Sequence, residues 1–318
     1  MHPPCRIDEP NGLQWVATQD GSWTCRVGAD GELFHNPAGA WSEAWQHYAV
    51  PATEGTDGDH GPQPRVLWDV CFGLGYGSWA LLQRLQASRP KPLAVQVVAM
   101  ETDLRLVVCW IPLVERLVAS GHLEPGTRLV AQGESSPGAP LRFALEGARG
   151  RWANLVVKPQ DFRREVQASM DPVDWILHDP FSPQRVPQLW TAEIFGHYHR
   201  RLIERNGRLL TYSTASAVLG GLREAGFHLY RTPALGLKRG GTLATTHSFQ
   251  TPMPAGWSTL PESDEAALAS RSGVPYRDPS LMGDAHAVLA QRNAAQRTSV
   301  LPKRTSPKTH RGSTEPHP

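Results

Sequence analysis

Asp179 closes the apolar run Trp175-Ile176-Leu177 within DWILHDPFSPQRVPQLW (174–190) and is followed at once by Pro180. Apolar runs bounded by proline read as buried strands of a parallel sheet, and ligands of open α/β sheets sit at the carboxyl ends of such strands. A carboxylate there can orient a nucleophile or balance a developing positive charge. Asp-Pro is also a common turn opener, so Asp179 alone reads equally well as a capping residue. Upstream, RVLWDVCFGLGYGSW (65–79) carries an apolar strand into Gly73-Leu74-Gly75-Tyr76-Gly77 and a helix-like segment, Ser78 to Leu85. Glycines let a backbone turn sharply and approach a ligand, and the start of the helix offers free N–H groups. The spacing is Gly-x-Gly-x-Gly-Ser, not the Gly-x-Gly-x-x-Gly of dinucleotide sites, and a structural tight turn explains it as well. A second strand, AVQVVAMETD (94–103), ends in Glu101. Its carboxylate can accept both hydroxyls of a ribose; the alternative is a surface acid or salt-bridge partner. This layout serves NAD enzymes and S-adenosylmethionine enzymes alike.

The elements that must hold these residues alternate. Gln14–Thr18 and Ser22–Val27 flank Gln19-Asp20-Gly21, a hairpin signal. Gly39–Tyr48 looks helical, and 52–64 is a polar Gly/Pro linker. From Arg65 strands and helices alternate. Helices are expected over 104–120, 162–170, 186–205 and 215–225, and strands at 128–130, 154–157, 207–213, 227–231 and 242–247. The last two strands are close in sequence and predict an antiparallel edge pair on a mostly parallel sheet with crossover helices. The organisation expected is an N-terminal hairpin and helix extension over 1–64, a catalytic α/β domain over 65–250, and a Pro-rich extension with a basic, disordered tail over 251–318.

Composition narrows the classes. The 318 residues have a mean hydropathy of −0.38, and no stretch approaches the ~18 apolar residues of a membrane span. The start, MHPPCRIDEP, has no apolar core and is not a secretory signal. Four scattered cysteines without a C-x-x-C pair argue against a zinc site and a disulfide framework, so a reducing cytoplasm is the expected compartment. His197 and His199 lie two apart on a helix and do not face one another, so no metal is expected. Net charge is +2. The tail holds Arg292, Arg297, Lys303, Arg304, Lys308 and Arg311 against one acid, Glu315, so the remaining body is slightly acidic and does not advertise a broad nucleic-acid surface.

Several segments together resemble the methyltransferase domain of the MnmC family, the bacterial enzymes that complete 5-methylaminomethyl(-2-thio)uridine at the tRNA wobble position. They are ELFHNPAGAWSEA (32–44), VCFGLGYGS (70–78), METD (100–103), HDPFSPQRVPQLWTAEIF (178–195), GRLLTYSTASAVLGGLREAGF (207–227) and GLKRGGTLAT (236–245). The resemblance spans roughly residues 12–248. It implies a Rossmann-like class I S-adenosylmethionine-dependent methyltransferase fold, S-adenosyl-L-methionine as cofactor and tRNA as partner; the sequence does not fix the oligomeric state, for which a monomer is the expectation. Gly73 and Gly75 fall on the cofactor turn, Glu101 on the ribose-binding acid, and Asp161 near the turn that contacts adenine. Asp179 falls on the catalytic acid. Lys238 and Arg239 fall in a basic loop facing the tRNA, and His35, Asn36 and Glu43 in the segment that closes over the target base. Departures are Gln160 for a glycine, Pro180 for a small residue, Tyr76 for Thr or Asn, and Gly240-Gly241. The long family form carries a flavin-dependent oxidase after the methyltransferase. This chain has no second Gly-x-Gly-x-x-Gly and is not expected to carry that step.

Each position also has a plainer reading. Asp161 can be the N-cap of a helix, a role compatible with adenine contact. Lys238-Arg239 alone would be a solvated pair. His178 points away from Asp179 by strand alternation and belongs in the core. Trp41 and Tyr212 are the two aromatic residues considered for base stacking. The function expected is N-methylation of 5-aminomethyl(-2-thio)uridine in tRNA. The alternatives are a non-catalytic S-adenosylmethionine and tRNA-binding protein, the same fold acting on another amine and, more distantly, a nicotinamide oxidoreductase.

Overall fold

The computed structural model describes residues 12–27, 31–55, 64–89, 91–133, 136, 138–234, 240–249 and 253–303. An N-terminal hairpin, β1 (Leu13–Ala17) and β2 (Trp23–Val27), precedes a helical stretch. That stretch is α1 (Ala40–Ala44), a π-helical turn (Trp45–Ala49) and α2 (Val50–Thr53). The main sheet has ten strands among the described residues. Its parallel centre is β3 (Arg65–Val70), β4 (Val95–Met100), β7 (Gly150–Lys158), β8 (Trp175–His178) and β9 (Arg208–Thr211). One flank adds β11 (Thr242–Thr245), β10 (His228–Arg231) and β12 (Ser258–Thr259), all antiparallel; the other adds β6 (Leu141–Gly147) and β5 (Arg128–Ala131), also antiparallel. The β10–β11 edge pair is the one expected. The β6–β7 hairpin at the opposite side was not, because β6 follows a loop rich in Gly, Ser and Pro and carries a mixed rather than alternating pattern, LRFALEG.

Two apolar layers cover the sheet, and alternation along the strands sorts residues between them. Leu67, Leu177 and Leu210 point to the layer of α3 (Tyr76–Ala87), α4 (Val107–Ala119) and the N-terminal helical stretch. Trp68, Val70, Ile176 and Leu209 point to the opposite layer, with α5 (Phe162–Ala168), α6 (Ala192–Leu202) and α7 (Ser216–Glu224). The chain runs outward from β3 through β4 in one direction and through β8 and β9 in the other. The order therefore reverses between β3 and β8, where an open α/β sheet forms its ligand crevice. Beyond the sheet lie α8 (Glu262–Leu268) and α9 (Ala285–Thr298). Arg292, counted above with the basic tail, is ordered on α9 with its guanidinium 4.9 Å from the ring of Tyr276. Residues 304–318 lie outside the described part, so the expected disorder of the tail is not addressed there.

Candidate active site

The strand ends are tied to one another by backbone bonds. Phe72 N–H donates to Met100 O at 3.0 Å, Glu101 N–H to Lys158 O at 3.2 Å and Asp179 N–H to Val70 O at 3.3 Å. The glycine turn begins immediately after β3. Gly75 has φ +76°, and a Cβ there would stand 2.5 Å from the Phe72 ring and 2.8 Å from Trp79, so only glycine fits. Trp79 Nε1 donates to Leu74 O and Trp110 Nε1 to Gly73 O, both at 2.9 Å, so two buried indoles brace the turn.

Glu101 is buried beside this turn, and its carboxylate accepts three backbone N–H groups at 2.7 Å, from Gly73, Thr102 and Asp103. Burial raises its pKa against the pull of these bonds. Oε1 takes two of the bonds and Oε2 one, which leaves acceptor capacity on Oε2. Asp161, at the end of β7, is the N-cap of α5: it accepts the Arg163 N–H at 2.9 Å and is clasped by the Arg163 guanidinium at 2.7 Å. Burial would raise its pKa, but the Arg163 bonds hold it low. The plainer capping reading of Asp161 is thus realised, with most of its carboxylate committed to Arg163.

On the other side of the crevice stand Asp69, Asp179, Glu43 and Tyr48. Asp69 shares the face of Leu67 and is bonded by Ser78 Oγ at 2.6 Å; burial pushes its pKa up to about 7. Asp179 follows Leu177 on that same side, whereas His178 points into the opposite layer, ringed by Phe162, Trp190, Phe195 and Tyr198. Among the described residues no N–H of the following turn is bonded to the Asp179 carboxylate, so it is not a cap. Burial, with Glu43 and Asp69 nearby, pushes its pKa up to about 8, and the Tyr48 hydroxyl is the one group that opposes the rise. Among the described residues no cation is one of the groups acting on it.

The N-terminal segment lies across this mouth. Phe34 sits 3.6 Å from where a Gly73 Cβ would be and meets Phe181 edge-on at 5.5 Å. Arg185 stacks over Phe181 at 4.4 Å and pairs with Glu32 at 3.5 Å. His35 is turned back into the protein: Nδ1 is 3.2 Å from Thr24 Oγ1, the ring meets Tyr76 at 4.9 Å, and burial lowers its pKa to about 4. Asn36 is fixed through its backbone, N–H to Glu43 Oε2 at 2.7 Å. Glu43 therefore joins the segment to the acidic side of the crevice. Of the two aromatic residues considered for stacking, Trp41 is packed against Trp45 and His122. Tyr212 bonds Pro180 O at 2.9 Å and lies near enough to Asp179 for the acid to raise its pKa. Lys238 and Arg239 lie outside the described residues. The neighbouring Gly241 is explained: a Cβ would meet Thr211 O at 2.7 Å and His47 Nδ1 at 3.1 Å.

Sequence reading missed Asp69, Tyr48 and the Phe34–Phe181–Arg185 strap. Asp69 left a signal, a lone acid inside an apolar strand. Tyr48 left none, because a π-helical turn decides its direction. Among the described residues no group of three or more His, Cys, Asp or Glu is arranged to hold a metal, and no helix is long and apolar enough to cross a membrane.

Comparison with known proteins adds four findings. Residues 141–247 match a family described as S-adenosyl-L-methionine-dependent methyltransferase. The chain is 43% identical over 223 residues to the tRNA 5-methylaminomethyl-2-thiouridine biosynthesis bifunctional protein MnmC of Azoarcus, covering 66% of this chain and 32% of that protein. It thus spans about a third of that relative's length. An uncharacterized protein of Methanocaldococcus jannaschii is 27% identical over 267 residues, 84% of this chain and 67% of its own. The crystal structure of MnmC2 from Aquifex aeolicus superposes with a TM-score of 0.66 at 26% identity, covering 92% of this chain and 87% of that one.

Proposed function

Because this chain is an MnmC-like, S-adenosyl-L-methionine-dependent methyltransferase, we propose that its methyl acceptor is the primary amine of 5-aminomethyl(-2-thio)uridine at the wobble position of tRNA. The observation that carries this reading is the acid set at the crevice. Asp179 stands at a strand end, with Asp69 near the end of β3 and Glu43 beside them, and among the described residues no cation is one of the groups acting on Asp179. Such a set suits ligands that bring positive charge: a sulfonium and an ammonium on the cofactor, and an amine that becomes cationic as it reacts. The biosynthesis for which the Azoarcus relative is named, that of tRNA 5-methylaminomethyl-2-thiouridine, supports the same acceptor.

The residues present fit the cofactor. Gly73 and Gly75 open the backbone, and Glu101 Oε2 keeps acceptor capacity for a ribose hydroxyl. Bound S-adenosylmethionine supplies a methyl group on positively charged sulfur; the amine lone pair forms the N–C bond as the C–S bond breaks, leaving a neutral thioether and an ammonium. The protein's part is to aim the amine and meet the charge it acquires. The Asp179 carboxylate accepts an amine N–H, directs the lone pair, and faces the ammonium as it forms. It then takes the surplus proton and passes it to water. The strap of Phe34, Phe181 and Arg185 narrows the mouth over this point.

The test is methyl transfer by the purified chain from labelled cofactor to tRNA bearing 5-aminomethyl-2-thiouridine, with nucleosides identified by mass spectrometry. Conversion to the monomethylated nucleoside supports the proposal. Cofactor binding without transfer to this tRNA would overturn the acceptor and favour another amine or a non-catalytic role.

A further inference from the structure

Tyr48 is the least expected member of the crevice. It is 3% exposed, and among the described residues its buried hydroxyl makes no hydrogen bond of good geometry, the Asp179 carboxylate being the acceptor that bears on it. The ring packs against α3, with Cδ2 3.5 Å from where a Gly77 Cβ would be. The π-helical turn Trp45–Ala49 admits an extra residue into the helix, a feature that recurs at functional sites. The hydroxyl is directed at Asp179 closely enough for each group to act on the other's ionisation, and Glu43 bears on both. Burying a hydroxyl without a partner is costly, so a polar atom held this way beside an uncapped carboxylate points to a ligand group that meets them both.

We propose that the Tyr48 hydroxyl and the Asp179 carboxylate receive the two N–H groups of the primary amine, so that the site counts hydrogens and stops after one methyl. This rests on the amine acceptor argued above. A neutral primary amine has two N–H groups and one lone pair. With one N–H on Asp179 and the other on Tyr48 Oη, the lone pair has a single direction left, towards the methyl donor. The Tyr48 O–H donates to the carboxylate at the same time. Transfer forms N–C, breaks C–S and yields a secondary ammonium, which loses a proton through Asp179 to water. The neutral product has one N–H. Turning its lone pair back to the donor would place the new methyl against the Tyr48 hydroxyl or the carboxylate and leave that group unpaired. A site built to hydrogen-bond a substrate group rejects strongly a substrate that lacks it. Tyr48 is therefore a specificity-determining residue that contacts the acceptor.

The experiment uses the full chain with tRNA carrying either 5-aminomethyl-2-thiouridine or 5-methylaminomethyl-2-thiouridine. Wild type is expected to methylate the second tRNA at least roughly a hundredfold more slowly than the first. Tyr48→Phe keeps the ring. It is expected to slow the first transfer about tenfold, the scale of one lost hydrogen bond, to accumulate dimethylated nucleoside on long incubation, and to bind cofactor as wild type does. Equal wild-type rates on the two tRNAs overturn the proposal without any variant. So does a Tyr48→Phe enzyme that matches wild type in rate and product. If wild type binds cofactor and methylates neither tRNA, the acceptor itself is wrong, and this proposal falls with it.

Discussion

The two sides of the crevice are finished to different degrees. On the glycine-turn side, three backbone N–H groups close on Glu101, and two indoles brace the turn through Gly73 O and Leu74 O. On the acceptor side, among the described residues, the Tyr48 hydroxyl is the one donor bearing on Asp179, and it forms no hydrogen bond of good geometry. The first arrangement is stable by itself, because every donor it gathers is consumed by the protein. The second leaves polar capacity that an incoming group can use, and it keeps acids together whose ionisation is costly until a proton or a cationic ligand offsets it. A cofactor that binds in every turnover is met by a preformed cradle. In the proposed reaction the acceptor, whose nitrogen changes charge, is met by groups whose bonding is completed as it reacts.

This contrast predicts that substitutions on the two sides separate rate from binding. Asp179→Asn should have the largest effect. The amide keeps shape and one acceptor but has no charge to oppose the ammonium, and loss of one preorganised electrostatic partner typically costs about 10²–10³ in rate. Single-turnover transfer should fall by that factor while calorimetric cofactor affinity stays unchanged. A near-wild-type rate would mean that the open acceptor side is not where chemistry occurs. Glu101→Ala should do the reverse. It removes the proposed ribose acceptor and strands the N–H groups of Gly73, Thr102 and Asp103. A loss of roughly 1.5–3 kcal/mol in cofactor binding is expected, seen by calorimetry, with a lower melting temperature. Unchanged affinity in a folded variant would break the distinction between the two sides. Gly75→Ala is a smaller, purely structural probe. Its φ of +76° and the approach of Phe72 and Trp79 leave no room for a Cβ, so stability should fall by at least ~1 kcal/mol. A denaturant midpoint equal to wild type would show that the turn is looser than its packing implies.

The difference also decides what sequence could reveal. Glu101 and Asp179 were legible because each sits where an apolar strand stops, and a strand's period fixes which face follows; Gly75 was legible from its place in a glycine-rich turn ahead of a helix. That same period separated His178 from Asp179 correctly. Asp161 was legible twice over, as cap and as site acid, and the structure realises the cap. Asp20 was read only as a turn residue. In the structure it also bonds Ser42 N–H at 2.8 Å and so tethers the hairpin to the start of α1, a long-range bond no local pattern announces. Tyr48 depends on a π-helical turn, and β6 on pairing with β7 across a tight hairpin. Both are decided by tertiary packing rather than by periodicity.

The smallest effect expected is on stability against pH, and it isolates the crevice acids. Asp69 and Asp179 have folded pKa values pushed up to about 7 and about 8 by burial, and that of Glu101 is raised as well. An unfolded Asp titrates near ~3.9. A raised carboxyl pKa means the folded state holds its proton longer, so stability falls as pH rises from the unfolded towards the folded value. Two buried histidines act oppositely. His35 and His178 are lowered by burial to about 4 and about 3, so their contribution grows with pH, but only up to the unfolded value near ~6.5. Below that point the two sets oppose each other. Above it the acids lead, and the ligand-free melting temperature should decline up to the folded value of about 8 for Asp179, beyond which the Cys25 and Cys71 thiols, also raised by burial, carry the decline further. Asp179→Asn should flatten the upper part of the decline, and S-adenosylmethionine should reduce it by bringing positive charge to the same acids. Thermal melts across this range, with and without cofactor, make the measurement. A melting temperature that rises there, or an Asp179→Asn variant with the wild-type slope, would show that the acceptor-side acids are already ionised and that the two sides do not differ as argued.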